Sequence, residues 1–216
     1  MEPEELITDA ARHATIYVRD LWRRHRPPPA PRTVALLDVS RRLDVLINAV
    51  FGRSYPLRVA QPPAPSTFLS KVFRRGEGPR TMCALPATDG ASIWLPKTLD
   101  ADDPAAGIGR YRALALQQAM RAERGSAALL PAATGDAVHE IYLLLEAFAA
   151  DEALVRLLPG IAGSLTALRR AMLAARPRLE AFPPRLRPLE TLLRQALAQQ
   201  CGRPDGTIPI AQSPQA

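Results

Sequence analysis

The run Asp136-Ala137-Val138-His139-Glu140-Ile141-Tyr142-Leu143-Leu144-Leu145-Glu146-Ala147-Phe148-Ala149-Ala150-Asp151-Glu152-Ala153-Leu154-Val155-Arg156-Leu157-Leu158 reads as one long helix. Ile141, Leu144, Leu145 and Phe148 recur at helical spacing. Asp136 is placed to cap the first turn and Pro159-Gly160 to break the last. The same pattern extends on both sides. Upstream, a helix runs from about Arg110 to Arg124 and stops at Gly125; Asp103-Pro104 would suit its N-cap and first position, but Gly107 and Gly109 argue for a later start. Downstream, Ile161, Leu165, Leu168 and Met172 mark a helix ending before Pro177, and Leu186, Leu189, Leu193 and Leu197 mark a last one.

The N-terminal third adds two more. Residues 4–26 carry Ala10, Ala14, Tyr17 and Leu21 on one face, with Val18 and Trp22 beside them, and Pro27-Pro28-Pro29-Ala30-Pro31 follows as a stiff connector. Thr33 reads as the N-cap of a helix to Phe51, buried through Val39, Leu43, Leu46, Ile47 and Val50 and closed by Gly52. Between them and the later helices, Tyr55–Ala60 is a strand candidate, 61–79 a loop with a helical piece at Phe68–Phe73, and Asp89-Gly90 a hairpin signal between Thr81–Leu85 and Ser92–Leu95. The expected fold class is therefore α+β, with about six helices dominating a small antiparallel sheet at 55–96. A single domain over 1–200 and a disordered tail over 201–216 complete the reading.

Composition narrows the function. The chain has 216 residues, enough to bury a core without staples, and 47% of them are hydrophobic. Cys83 and Cys201 form no CxxC pair, which excludes the common zinc and redox motifs. Met1-Glu2-Pro3-Glu4-Glu5 has no signal-peptide pattern, and the most apolar run, Ile141–Ala150, is interrupted by Glu146, so a cytoplasmic location without a membrane span is expected. The net charge of +7 comes almost wholly from arginine, with only Lys71 and Lys97 as lysines. No basic stripe is interleaved with aromatics as single-strand binding would want. Solvated helix faces and acidic protein partners are the expected use of this charge, with nucleic-acid binding as the weaker alternative. The basic end of the first helix, Arg23, Arg24 and Arg26 beside Trp22, suits the helix dipole and is also the candidate partner-binding patch.

Catalytic motifs are missing. There is no phosphate-binding loop and no nucleophile elbow, and His13, His25 and His139 do not pair at metal-ligand spacing. Asp151-Glu152 point about 100° apart on a helix and cannot flank one substrate bond together. One arrangement invites comparison with metal chemistry. Gln117 and Arg121 lie four apart, Gln118 lies between them, and Glu146 sits among apolar residues on the next helix. A zinc peptidase places H-E-x-x-H on one helix and a Glu ligand on the next. Here Gln117 and Arg121 stand where the imidazoles would be, Arg cannot ligate a cation, and the general base is absent. These four are degenerate ligand positions, and the simpler expectation is that Glu146 pairs with Arg121 or another arginine.

The segments Leu85-Pro86-Ala87-Thr88-Asp89-Gly90 and Ile93-Trp94-Leu95-Pro96, then Tyr111-Arg112-Ala113-Leu114-Ala115, Ile141-Tyr142-Leu143-Leu144-Leu145-Glu146 and Leu158-Pro159-Gly160, resemble the N-terminal region of NorD/CbbO-type proteins. The resemblance spans roughly residues 5–200. Such proteins carry a von Willebrand domain and partner MoxR-type AAA+ ATPases in activating nitric oxide reductase or Rubisco. In the family the helix at 111–125 often reads like A-H-x-x-x-H; Gln117 and Arg121 depart from that, so no zinc role carries over. The von Willebrand domain is absent, which implies a fragment, a truncated paralogue, or a partner domain on another chain. The resemblance implies a non-catalytic adaptor with no cofactor, bound to a MoxR-type ATPase, a von Willebrand-domain protein or both, and acting on a target enzyme. A degenerate zincin-type hydrolase retaining Glu146 is the alternative.

Overall fold

A computed structural model of the chain describes residues 32–62, 83–129 and 136–199. Apart from Arg32 these belong to one unit, Thr33–Ala216. The helix expected at 4–26, the proline connector, the helical piece at 68–73 and the tail all lie outside the described residues. The elements run β1 (Arg32–Ala35), α1 (Leu36–Phe51), β2 (Leu57–Val59), β3 (Ala87–Thr88), β4 (Ile93–Leu95), β5 (Thr98–Ala101), α2 (Pro104–Glu123), α3 (Asp136–Leu157), α4 (Ala162–Ala174) and α5 (Arg187–Ala198). Short 3-10 turns at Pro159–Ile161, Leu179–Ala181 and Pro184–Leu186 link the last three helices. The fold is α+β and predominantly helical. Among the described residues no helix is long and apolar enough to cross a membrane.

The Asp89-Gly90 turn forms as its chemistry dictates. Asp89 Oδ1 accepts from the N–H of Ala91 at 2.8 Å and of Ser92 at 2.6 Å, which holds its carboxyl below the ordinary value. Gly90 takes φ +87°, open to glycine at no steric cost. The turn pairs β3 with β4 in the antiparallel sense, Thr88 opposite Ile93. β2 then joins the other side of β4 in parallel, with Leu57 opposite Ile93 and Val59 opposite Leu95. The first arm is Ala87–Thr88, just after Pro86, which has no N–H to donate to a ladder; Thr81 and Met82 of the expected arm lie outside the described residues.

A second, two-stranded sheet of β1 and β5 was not expected. It corrects the reading of Thr33: Arg32–Ala35 is extended, so α1 starts at Leu36 with Ala35 at its N-cap and no side-chain cap. The C-terminus of α1 is as expected, with Gly52 at φ +70° and its N–H on Asn48 O.

α2 is the hub. Asp103 caps it through Ala105 N and Ala106 N, and Pro104 takes the first turn, where a missing N–H is harmless. The helix therefore starts before its glycines. Gly107 is there for packing: a Cβ at this position would lie 2.5 Å from Val34 Cγ2 and 3.2 Å from the Ala101 Cβ. One face of α2, Tyr111, Ala115 and Ala119, closes a core with Val39, Leu43 and Ile47 of α1 and Ile93 and Leu95 of β4. The other face, Leu116 and Met120, closes a second core with Ala150 and Leu154 of α3 and Leu165 of α4. Tyr111 is fully buried and donates its hydroxyl to Pro96 O at 2.9 Å; burial, helped by Asp38, pushes its pKa up to about 12. A smaller cluster of Phe148 and Ala196, with Leu144 and Leu145, fixes α5 on α3.

α4 and α5 are tied by charge as well. Glu190, 3% exposed, accepts from Arg176 Nε and Arg194 Nε, each at 2.7 Å, and its second oxygen takes Arg176 Nη2. Burial alone would raise this carboxyl, but the two arginines outweigh it and hold it below its ordinary value.

Two predictions follow from this packing. Gly107→Ala lowers stability by about 1–3 kcal/mol through overpacking against Val34, whereas Gly109→Ala, with nothing within 4 Å, raises it by up to about 1 kcal/mol; urea unfolding of both variants checks the pair. The Glu190 contribution is fully present above the ordinary carboxyl value of 4.5 and is lost as pH falls below that through the lowered folded value. Glu190→Gln should thus be less stable than the parent at neutral pH, and the gap should narrow in acid.

A candidate site at the junction of three helices

Polar side chains have to be satisfied wherever α2, α3 and α4 bury them. Gln117 lies on the α3 side of α2 and donates Nε2 to Asp151 Oδ1 at 2.6 Å. Asp151, 3% exposed, receives Arg169 of α4 on its other oxygen: Nε donates to Oδ2 at 2.9 Å. Arg169 Nη2 is 2.8 Å from the same oxygen, an ion-pair contact beside that hydrogen bond. The Arg169 guanidinium lies over the Phe148 ring at 3.9 Å from its centroid, so an aromatic face covers its flat side.

One turn of α3 earlier, Glu146 is held differently. Arg124, just past the end of α2, grips it with Nε to Oε1 at 2.7 Å and Nη2 to Oε2 at 3.0 Å. The Ser126 hydroxyl reaches Glu146 Oε1 at 2.6 Å and Arg121 O at 2.9 Å. Tyr142 donates its hydroxyl to Ser126 O at 2.7 Å, which closes the loop back to α3. Gly125 at φ +71° allows the turn that brings Ser126 under the carboxylate.

Arg121 sits between these two acids. Burial lowers its pKa, while the charges of Asp151 and Glu146 act the other way. Its Nε, Gln118 Oε1 and both Nη atoms of Arg169 are the buried side-chain polar atoms without a hydrogen-bond partner among the described residues. Gln118 itself is only 2% exposed.

The four degenerate ligand positions therefore occupy the α2–α3 contact but do not converge on one point. Gln117 turns to Asp151, Glu146 to Arg124 and Ser126, and Arg121 lies between. Pairing of Glu146 with an arginine was expected, and the arginine is Arg124. Asp151, Arg169 and Ser126 were missed. Asp151-Glu152 had been set aside because the two cannot share a substrate, yet both are buried. The available signal was an acidic pair inside a helix that is apolar on every side. Trp22, Arg23, Arg24 and Arg26 lie outside the described residues. Among the described residues no group of three or more His, Cys, Asp or Glu side chains could hold a metal ion.

The chemistry open to this arrangement is bracing. Both oxygens of each carboxylate are engaged by donors, and a bidentate arginine grip fixes direction as well as distance. Against models of protein families, against curated proteins and against solved structures, nothing matches the chain.

Removing one partner should expose the cost of the other. Asp151→Asn strands the Arg169 charge and lowers stability by about 3–5 kcal/mol. The Asp151→Asn/Arg169→Met double variant recovers a large part of that loss. A double-mutant cycle in denaturant measures the coupling.

Proposed function

We propose that the chain is a non-catalytic adaptor that couples a MoxR-type AAA+ ATPase to the activation of a target enzyme of the nitric oxide reductase or Rubisco type. The observation that carries this reading is the mutual engagement of polar groups between α2 and α3. Glu146 is taken by Arg124 and Ser126, and Asp151 by Arg169 and Gln117. A zinc-peptidase site needs an open coordination position and a free general base; here the acidic oxygens face arginine. A braced helical scaffold is suited to presenting surfaces to other proteins. The likeness to NorD/CbbO-type proteins supplies the partner class. Its segments fall on the β3–β4 turn, the first-core face of α2, the N-terminal half of α3 and the break before α4. On this reading the protein works in the cytoplasm, and a von Willebrand domain, where one is needed, acts with it.

Co-purification with a MoxR-type ATPase, together with a changed rate of ATP hydrolysis on adding the chain, is the expected outcome. Absence of any interaction with such an ATPase encoded beside it overturns the reading. So does stoichiometric zinc in the purified protein that is lost on Glu146→Gln, which would favour the hydrolase.

A further inference from the structure

Between Arg170 and Gln199 the chain has six arginines, two glutamates and neither lysine nor aspartate. This stretch forms the second half of α4, two 3-10 turns and α5. It carries a surplus of four positive charges out of +7 for the whole chain. The fold sharpens the imbalance. Glu190 is buried and held by both Arg176 and Arg194, so it presents no carboxylate to solvent. Arg187 is exposed, and among the described residues its guanidinium meets backbone carbonyls rather than an acid: its Nε donates to Phe182 O at 3.0 Å and its Nη2 to Glu180 O at 3.5 Å. Arg170, Arg178 and Arg185 are exposed, and Glu180 is the one acid on the outside of the stretch.

The company these arginines keep selects among anionic partners. Met172 is 52% exposed among them. A surface of Arg and Met without Lys matches the composition enriched in protein interfaces. The aromatic ring of the stretch, Phe182, is buried, with Arg176 5.8 Å from its centroid, so no stacking platform for bases is offered. We infer that the α4–α5 end of the molecule is a docking surface for an acidic face of a partner protein. The inference deepens the adaptor reading and rests on it in so far as the chain acts by binding a protein.

The test uses the full chain with three probes: a polyglutamate peptide, duplex DNA and phosphatidylserine vesicles. Polyglutamate should bind in a salt-sensitive way, and more tightly than the other two. Arg170→Glu/Arg178→Glu should weaken it by about tenfold or more, while Arg41→Glu/Arg42→Glu, an equal charge change on the exposed side of α1, should leave it within about twofold. Thermal melts confirm that both variants fold, and Arg170→Gln/Arg178→Gln substitutes for the reversal if that variant does not. Equal weakening by the two reversals, no binding of polyglutamate, or tighter binding of DNA or vesicles that the Arg170→Glu/Arg178→Glu reversal abolishes overturns the inference. A MoxR-type ATPase that binds the chain but ignores the α4–α5 reversal also overturns it and spares the adaptor reading. Reversal-sensitive polyglutamate binding without ATPase binding sinks the adaptor reading and keeps the surface.

Discussion

Asp151 between Gln117 and Arg169 is the contact on which the helical layer depends. It draws one side chain from each of α2, α3 and α4, and all three are needed to satisfy it. A buried carboxylate is costly without donors, and a buried guanidinium without an acceptor is no cheaper. The apolar cores on either side of α2 are non-directional and tolerate sliding. The charged contact fixes where along its length each helix stops. Glu146 with Arg124 and Ser126 repeats the arrangement a turn away and anchors the end of α2. Two fixed points on one helix pair define both offset and rotation.

The centre of the fold thus joins permissive and demanding packing. Alanines at 115 and 119 of α2 let α1 and the sheets approach closely. Tyr111 closes that side by hydrogen bonding to the β4–β5 connection. On the other side, polar side chains take over from alanine, and precision comes from hydrogen-bond geometry. This division explains how one helix serves two cores. It also bears on function, since a scaffold that presents surfaces to other proteins gains from a centre that does not shift.

Much of this could be read from the residues. Periodicity located the described helices, most plainly α1 and α5, which each bury one stripe. Gly52 and Asp89-Gly90 marked their turns because positive φ is a local property. The need of Glu146 for an arginine followed from its apolar neighbours. What stayed hidden depends on distance in sequence. β1 and β5 pair across more than sixty residues, and neither run is apolar enough to announce a strand. Gly107 looked like a helix delay because its reason, Val34, lies on another element. Asp151 and Arg169 are 18 residues apart, across a break and a new helix, and no spacing rule links them. The choice of Arg124 over Arg121 turns on the end of α2: Arg124 continues its last turn, and the αL residue at 125 brings Ser126 to the same carboxylate.

The guanidinium of Arg169 rests 3.9 Å from the centre of the Phe148 ring. A proton held above an aromatic face feels the field of its circulating electrons and resonates upfield of its usual place. The Arg169 Nε proton, shielded from water and bonded to Asp151, also exchanges slowly. The junction of the three helices therefore carries its own magnetic reporter, whose signal returns to the ordinary position when α4 parts from α3.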